Sequence, residues 1–153
     1  MGGLSLFLKH SLTDESRWKG LMIMTETTEL TAGKIADRYL AVWSEPDPAA
    51  RRAAVAALWA PDGVEFIDGG IQFRGHDGLD ARVREAYEQF VATGAYALTS
   101  AGDVARHDDI VTFTVQLTTP DGETAWAARI FLLVGPDGLI QEDYQLTVKP
   151  LAA

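Results

Sequence analysis

The chain contains no cysteine. That removes disulfides and thiol nucleophiles from its chemistry and fits a reducing, cytoplasmic setting. Basic residues are scarce: 13 Lys and Arg face 22 Asp and Glu, for a net charge of -9. A surface that negative repels phosphate backbones and anionic lipid, so neither nucleic acid nor a membrane is expected as a partner. No hydrophobic run approaches the roughly 20 residues of a membrane span. The early LSLFL is too short even for a signal-peptide core, and no small-residue cleavage site follows it. Internal repeats and low-complexity tracts are missing as well. The three histidines, His10, His76 and His107, are scattered without metal-ligand spacing and read as surface residues. The glycines of IDGGIQFRGHDG are not followed by the Lys-Ser/Thr of a phosphate loop. No Ser-His-Asp arrangement can be assembled, and no metal or cofactor is expected.

What is present is an ordinary globular composition. The 153 residues, 47% apolar and 23% charged, suffice for one domain with its own core. Residues 1–24, MGGLSLFLKHSLTDESRWKGLMIM, differ in character and read as an N-terminal extension of unassigned role, with Met22 and Met24 as alternative starts. Residues 25–153 read as the single domain.

From Leu30 the periodicity is regular. In LTAGKIADRYLAVW, Ile35, Tyr39, Val42 and Trp43 recur at helical spacing. Asp47-Pro48 starts a second helix, with Asp as N-cap and Pro at the first helical position. That helix, PAARRAAVAALWA, stops at the turn Pro61-Asp62-Gly63. VEFID and IQFR are short strands joined by Gly69-Gly70. GHDGLDARVREAYEQFV is a third helix with the stripe Leu79, Val83, Tyr87 and Phe90. Beyond Gly94 the period becomes two: Val111, Phe113, Val115 and Leu117 share one face of IVTFTVQLTT. Pro120-Asp121-Gly122 and Pro136-Asp137-Gly138 are hairpin turns into ETAWAARIFLLV and LIQEDYQLTV. Helices gathered on one side of an antiparallel meander make an α+β domain. Its long twisted sheet is expected to curl around three helices as a cone and leave a hollow suited to a small apolar ligand.

This order, with RYLAVW in the first helix, LWAPDG before VEFID and FRGHDGL leading into the third, resembles the nuclear transport factor 2-like superfamily. Within it the chain is most similar to SnoaL-like and ketosteroid-isomerase-like proteins, over residues 30 to 148. The resemblance implies a cone-shaped, strongly curved antiparallel sheet wrapped around the helices and enclosing a pocket. It also implies cofactor-free acid-base catalysis of isomerase, cyclase or dehydratase type on a small apolar carbonyl compound; the alternative is a ligand-binding or dimerisation module without catalysis. Family isomerases use a first-helix tyrosine as donor to the developing enolate, which maps onto Tyr39. Their base, an aspartate ending the first strand, maps onto Asp68 when one extra residue is allowed after Trp59, and otherwise onto Ile67. Their second acid has no counterpart on WAARIF. The epoxide-hydrolase branch carries a Trp and an Asp where this chain has Asp143 and Gln145, so its water-activating set is not kept. A homodimer through the outer sheet face is implied by the family and by the apolar RIFLLV.

Each candidate also has a plainer reading. Asp68 before Gly69-Gly70 is either a turn carboxylate or a base at the mouth of a pocket. Tyr39 sits on a buried stripe, where a core tyrosine finds a backbone partner. Trp43, Trp59, Phe66 and Trp126 are core aromatics by pattern and candidates for the apolar wall. Arg129 faces outward or meets an interior carboxylate. On the last strand, Asp143, Gln145 and Thr147 share one parity and are the polar candidates for the inner face, while the opposite parity, Ile140, Glu142, Tyr144, Leu146 and Val148, is more apolar and claims the core equally well.

Overall fold

The computed structural model describes residues 31–152; the expected extension and His10 lie outside them. Residues 31–44 form helix α1, and its stripe Ala32, Ile35, Ala36, Tyr39, Val42 and Trp43 is buried, as spacing by three and four requires. Helix α2 (Pro48–Leu58) begins where Asp47 accepts a hydrogen bond from the Ala50 N–H at 2.8 Å and Pro48 fixes the first turn. It ends at Leu58, two residues before the expected stop, because Trp59 and Ala60 already turn extended and open strand β1 (Trp59–Ile67).

Strand β1 runs through Pro61-Asp62-Gly63 rather than starting after them, with a register irregularity between Trp59 and Val64. A tight turn, Asp68–Gly70, reverses the chain into β2 (Ile71–Arg74), and Gly69 supplies the positive φ of 85° that this reversal needs. Helix α3 (Gly75–Ala86) buries Leu79 and Val83, then widens into one π-type turn, Tyr87–Val91, closed by the Ala92 N–H to the Tyr87 carbonyl at 2.8 Å.

The rest is strand: β3 (Ala97–Ser100), β4 (Ala105–His107), β5 (Ile110–Thr118), β6 (Thr124–Val134) and β7 (Ile140–Lys149). They form one open sheet in the order β2-β1-β7-β6-β5-β3, with β4 also on β5. Every pairing is antiparallel except β1 with β7. The sheet expected to be antiparallel is therefore mixed at one seam, where the last strand slots beside the first; α3 and the meander supply the long crossover a parallel pair requires. On the concave side Val111, Phe113, Val115, Ala128, Ile130, Leu132, Val134 and Ile140 meet the buried faces of α1, α2 and α3. Each fully buried Leu, Ile or Phe there contributes about 1.5–3 kcal/mol. This is the α+β cone expected from the sequence. Among the described residues no helix is long and apolar enough to cross a membrane.

Candidate functional site

A cavity of about 300 Å³ lies between the concave sheet, α1 and the α3 end, partly open to solvent. That places it at the small end of ligand pockets. Its wall is largely apolar: Trp43, Phe90, Leu98, Val115, Leu117 and Trp126 take part. The π-type turn brings Gln89, Phe90 and Val91 to this wall, so the one irregular turn of α3 sits at the cavity. The polar groups are few. Tyr39, Arg82 and Gln145 line it within the fold, and Asp68 and Thr147 line it where the β1 reversal meets β7.

Beneath Tyr39 and Arg82 lies a cluster that joins Asp143, a candidate read from the sequence, to Glu65, which was not one. Glu65 of β1 and Asp143 of β7 are direct partners across the parallel seam, and both are 0% exposed. The Arg82 Nε donates to Glu65 Oε1 at 3.0 Å. The Tyr39 hydroxyl stands 3.5 Å from Glu65 Oε2, the outer limit of a hydrogen bond, and also near Asp143. Among the described residues neither Asp143 oxygen receives a well-formed hydrogen bond. Two carboxyl groups thus share one cation in a dry setting. Burial first, and then the negative charge of Glu65, push the Asp143 carboxyl well above the usual carboxylate range. Burial also raises Glu65, but Arg82 works against it by charge and by hydrogen bond. Burial and the two acids push the Tyr39 hydroxyl well up, so it stays protonated and remains a donor.

Arg82 is itself held. Its guanidinium carbon lies 5.3 Å from the ring centre of Trp43 and 5.4 Å from that of Phe73, cation–π contacts that fix the side chain while it borders the cavity. Among the described residues its terminal nitrogens have no hydrogen-bond partner, so those donors are free for a ligand.

The candidates read from the sequence separate into three groups. Tyr39, Trp43, Trp126, Gln145 and Asp68 all reach the cavity wall. Asp143 is on the inner face but lies under the wall. Trp59 and Phe66, expected at the wall, are not there. Trp59 is wholly buried against Tyr39, ring centres 5.8 Å apart, because β1 begins at its position and aims it into the core. Phe66 faces the outside of the sheet and stacks on Tyr144 at 4.9 Å, since neighbouring Glu65 takes the inner face and strand alternation sends Phe66 the other way. Asp68 is exposed, and its Oδ2 accepts the Thr147 N–H at 3.0 Å. The two parities of β7 resolve with Asp143 and Gln145 inside and Tyr144, Leu146 and Val148 outside, while Ile140, of the second parity, is buried in the core across the register irregularity beside Glu142. Arg129 faces outward, paired with Asp103 at 2.5 Å. His76 has a structural partner, the Trp59 carbonyl at 2.8 Å, and His107 is exposed. Among the described residues no group of three metal-ligating side chains gathers.

Glu65 and Arg82 were the residues missed. No local signal marks either: Glu65 alternates with Val64 and Phe66 as a solvent residue would, and Arg82 is one of several charged residues along GHDGLDARVREA.

No protein-family profile and no curated protein sequence matches the chain. Solved structures do. A SnoaL-like family protein from Agrobacterium tumefaciens, provisionally named an isomerase, is 25% identical with a TM-score of 0.69 and covers 77% of this chain and 97% of its own. A protein from Jannaschia sp., provisionally named a SnoaL-like polyketide cyclase, is 16% identical with a TM-score of 0.63, covering 78% of this chain and 87% of its own. A protein with a ketosteroid isomerase-like fold from Catenulispora acidiphila, bound to trimethylamine, is 18% identical with a TM-score of 0.56, covering 72% and 82%. With the helix order, the open curved sheet and the cavity on its concave side, these neighbours identify the fold of this chain as nuclear transport factor 2-like, of the SnoaL-like and ketosteroid-isomerase-like kind.

Proposed function

We propose that the cavity binds a small, mostly apolar carbonyl compound and catalyses a proton transfer on it without a cofactor, as an isomerase, cyclase or dehydratase would. One observation carries the reading: in an apolar chamber, the polar side chains Tyr39 and Arg82 converge from α1 and α3, each backed by a buried carboxyl group. The spare N–H groups of Arg82 suit an oxygen on which negative charge builds during enolisation. The Tyr39 hydroxyl can turn its single proton from the 3.5 Å contact with Glu65 to the same oxygen, and such donors act most strongly where water is excluded. Asp68, exposed to the same cavity at the β1 reversal, is the carboxylate available to take and return the proton. The SnoaL-like neighbours named for isomerase and cyclase activity support the same class of chemistry.

Exchange of α-protons in D2O, followed by proton NMR with 1-indanone as probe, tests this without the natural substrate. The protein accelerates exchange; Asp68→Asn reduces the acceleration by about 10²–10⁴-fold and Tyr39→Phe by about 10²–10³-fold. Saturable binding with no acceleration would instead support the second reading, a binding module. The bond from the Thr147 N–H to Asp68 favours that reading, because it gives Asp68 a structural task in tying the reversal to β7.

We also propose that the outer sheet face joins two copies of the chain. Phe66, Tyr144 and Phe131 are register partners in one row across β1, β7 and β6, with exposed Leu146 and Val148 beside it. A twofold interface needs a patch that complements itself, which an apolar, charge-poor row does and the rest of a chain of net charge -9 does not.

A further inference from the structure

We infer that Glu65 and Asp143 together hold one proton, and that the single negative charge left on the pair makes Glu65 and Asp143 a charge filter that reserves the cavity for uncharged carbonyl ligands and rejects carboxylates. The inference rests on the ligand class proposed above and adds its charge. Among the described residues, the charged or titratable groups packed on the cluster are Tyr39 from α1, Arg82 from α3, Glu65 from β1 and Asp143 from β7. The next strand contributes only apolar Ile130 and Leu132, register partners of Gln145 and Asp143. Two fully buried carboxylates side by side with one guanidinium would leave an uncompensated charge away from water, so one proton stays. Arg82 sits on Glu65, and among the described residues Asp143 has only the Tyr39 hydroxyl near it and no well-formed hydrogen bond, which places the proton on Asp143 and the charge on Glu65.

The cluster then sums to zero: one cation, one anion, one neutral acid, one neutral hydroxyl. A neutral carbonyl oxygen accepts from the spare donors of Arg82 without disturbing that balance. A carboxylate adds a second anion beside Glu65 in a dry wall, and no cation among the described cavity residues remains to meet it. Glu65 and Asp143 touch no ligand on this account; they are positioning residues that act through Arg82 and Tyr39.

The charge logic makes the variants specific. With either acid alone changed to its amide, Glu65→Gln or Asp143→Asn, the remaining acid ionises to meet Arg82 and the filter stays. With both changed, Arg82 is left uncompensated and the preference inverts. Two measurements test this. Infrared difference spectroscopy at neutral pH should show the carbonyl stretch of a buried protonated carboxyl group in the wild-type protein, lost in each single variant. Titration of the Trp43 and Trp126 indole N–H signals with 1-indanone and with indane-1-carboxylate should show the ketone favoured by at least about tenfold in the wild type. The carboxylate should be favoured in the folded Glu65→Gln/Asp143→Asn double variant. Absence of the protonated-carboxyl band in the wild type overturns the shared proton, even if the double variant fails to fold. An unchanged preference in a folded double variant overturns the filter. If the band is present but 1-indanone does not bind, the ligand class has failed and the proton pair stands.

Discussion

Asp143 is an aspartate whose ionised form the fold disfavours, and that fixes the sign of its effect on stability. Its folded-state pKa is raised by burial and by Glu65, so between the ordinary aspartate value of about 4 and the raised value the folded protein binds more protons than the unfolded chain. Stability is therefore undiminished below that ordinary value and falls as pH rises above it. Asp143→Asn keeps the size of the side chain and its ability to donate, and removes the proton that folding must retain. Thermal melts from pH 4 to pH 9 should show a shallower alkaline decline in the variant. Asp143 stays protonated in the folded protein, so the variant's advantage at pH 8 is the cost of retaining that proton. That cost is about 1.4 kcal/mol for each pH unit between the ordinary aspartate value and the raised one, and the advantage should vanish near pH 4. An equal gain at both ends would mean that packing, and not the proton, had changed. At this scale the sequence was only half legible. Tyr39, Trp43, Asp68, Trp126 and Gln145 could be chosen for the cavity from helical stripe, strand parity and resemblance. Glu65 could not, because VEFID offers Val64 and Phe66 as the apolar alternation and a lone Glu between them looks like a solvent residue. What turns it inward is Arg82, seventeen positions away on another element, and no local pattern carries such a pairing.

At the level of elements the reading from sequence was far better, because each boundary had a local cause. Asp47 caps α2, Gly69 turns β1 into β2, and alternation in β5 sorts Val111, Phe113, Val115 and Leu117 inward. The parallel seam between β1 and β7 was not legible, since which distant strand closes onto β1 depends on how the sheet curls. Gly63 shows how close that seam is. A methyl group built on it would lie 3.0 Å from the Ala60 carbonyl oxygen and 3.0 Å from the Ile140 carbonyl oxygen. Both contacts are backbone and cannot swing aside, so Gly63→Ala must shift β1 against β7. Urea unfolding should show a loss of about 1–3 kcal/mol, as for other overpacked sites. Since Glu65 follows two positions later, the same variant should also weaken the bond between Arg82 and Glu65, read as a shift of the Arg82 side-chain NMR signal. Wild-type stability in Gly63→Ala would mean that the seam tolerates separation and that the Glu65–Asp143 pairing is looser than 0% exposure implies.

For the molecule as a whole, the two faces of one sheet divide the work. The concave face keeps the cavity and the acid pair; the convex face carries the aromatic row of Phe66, Tyr144 and Phe131, with Leu146 50% and Val148 62% exposed. Strand β7 serves both, since alternate residues on it face opposite ways: Asp143 and Gln145 inward, Tyr144, Leu146 and Val148 outward. An interface on the convex face would thus brace the strand that positions Asp143. Leu146→Asp puts a charge at the centre of the proposed contact, between Tyr144 and Val148, while leaving the concave side untouched. Sedimentation velocity at micromolar concentration should give a dimer for the wild type and a monomer for Leu146→Asp, with ligand titrations showing the cavity still formed. A wild-type monomer across that range would refute the interface. A variant that stays dimeric would move the contact to another surface. If the monomeric variant binds 1-indanone more weakly, β7 links the two faces, and assembly then belongs to how the site is held rather than only to how copies of the chain meet.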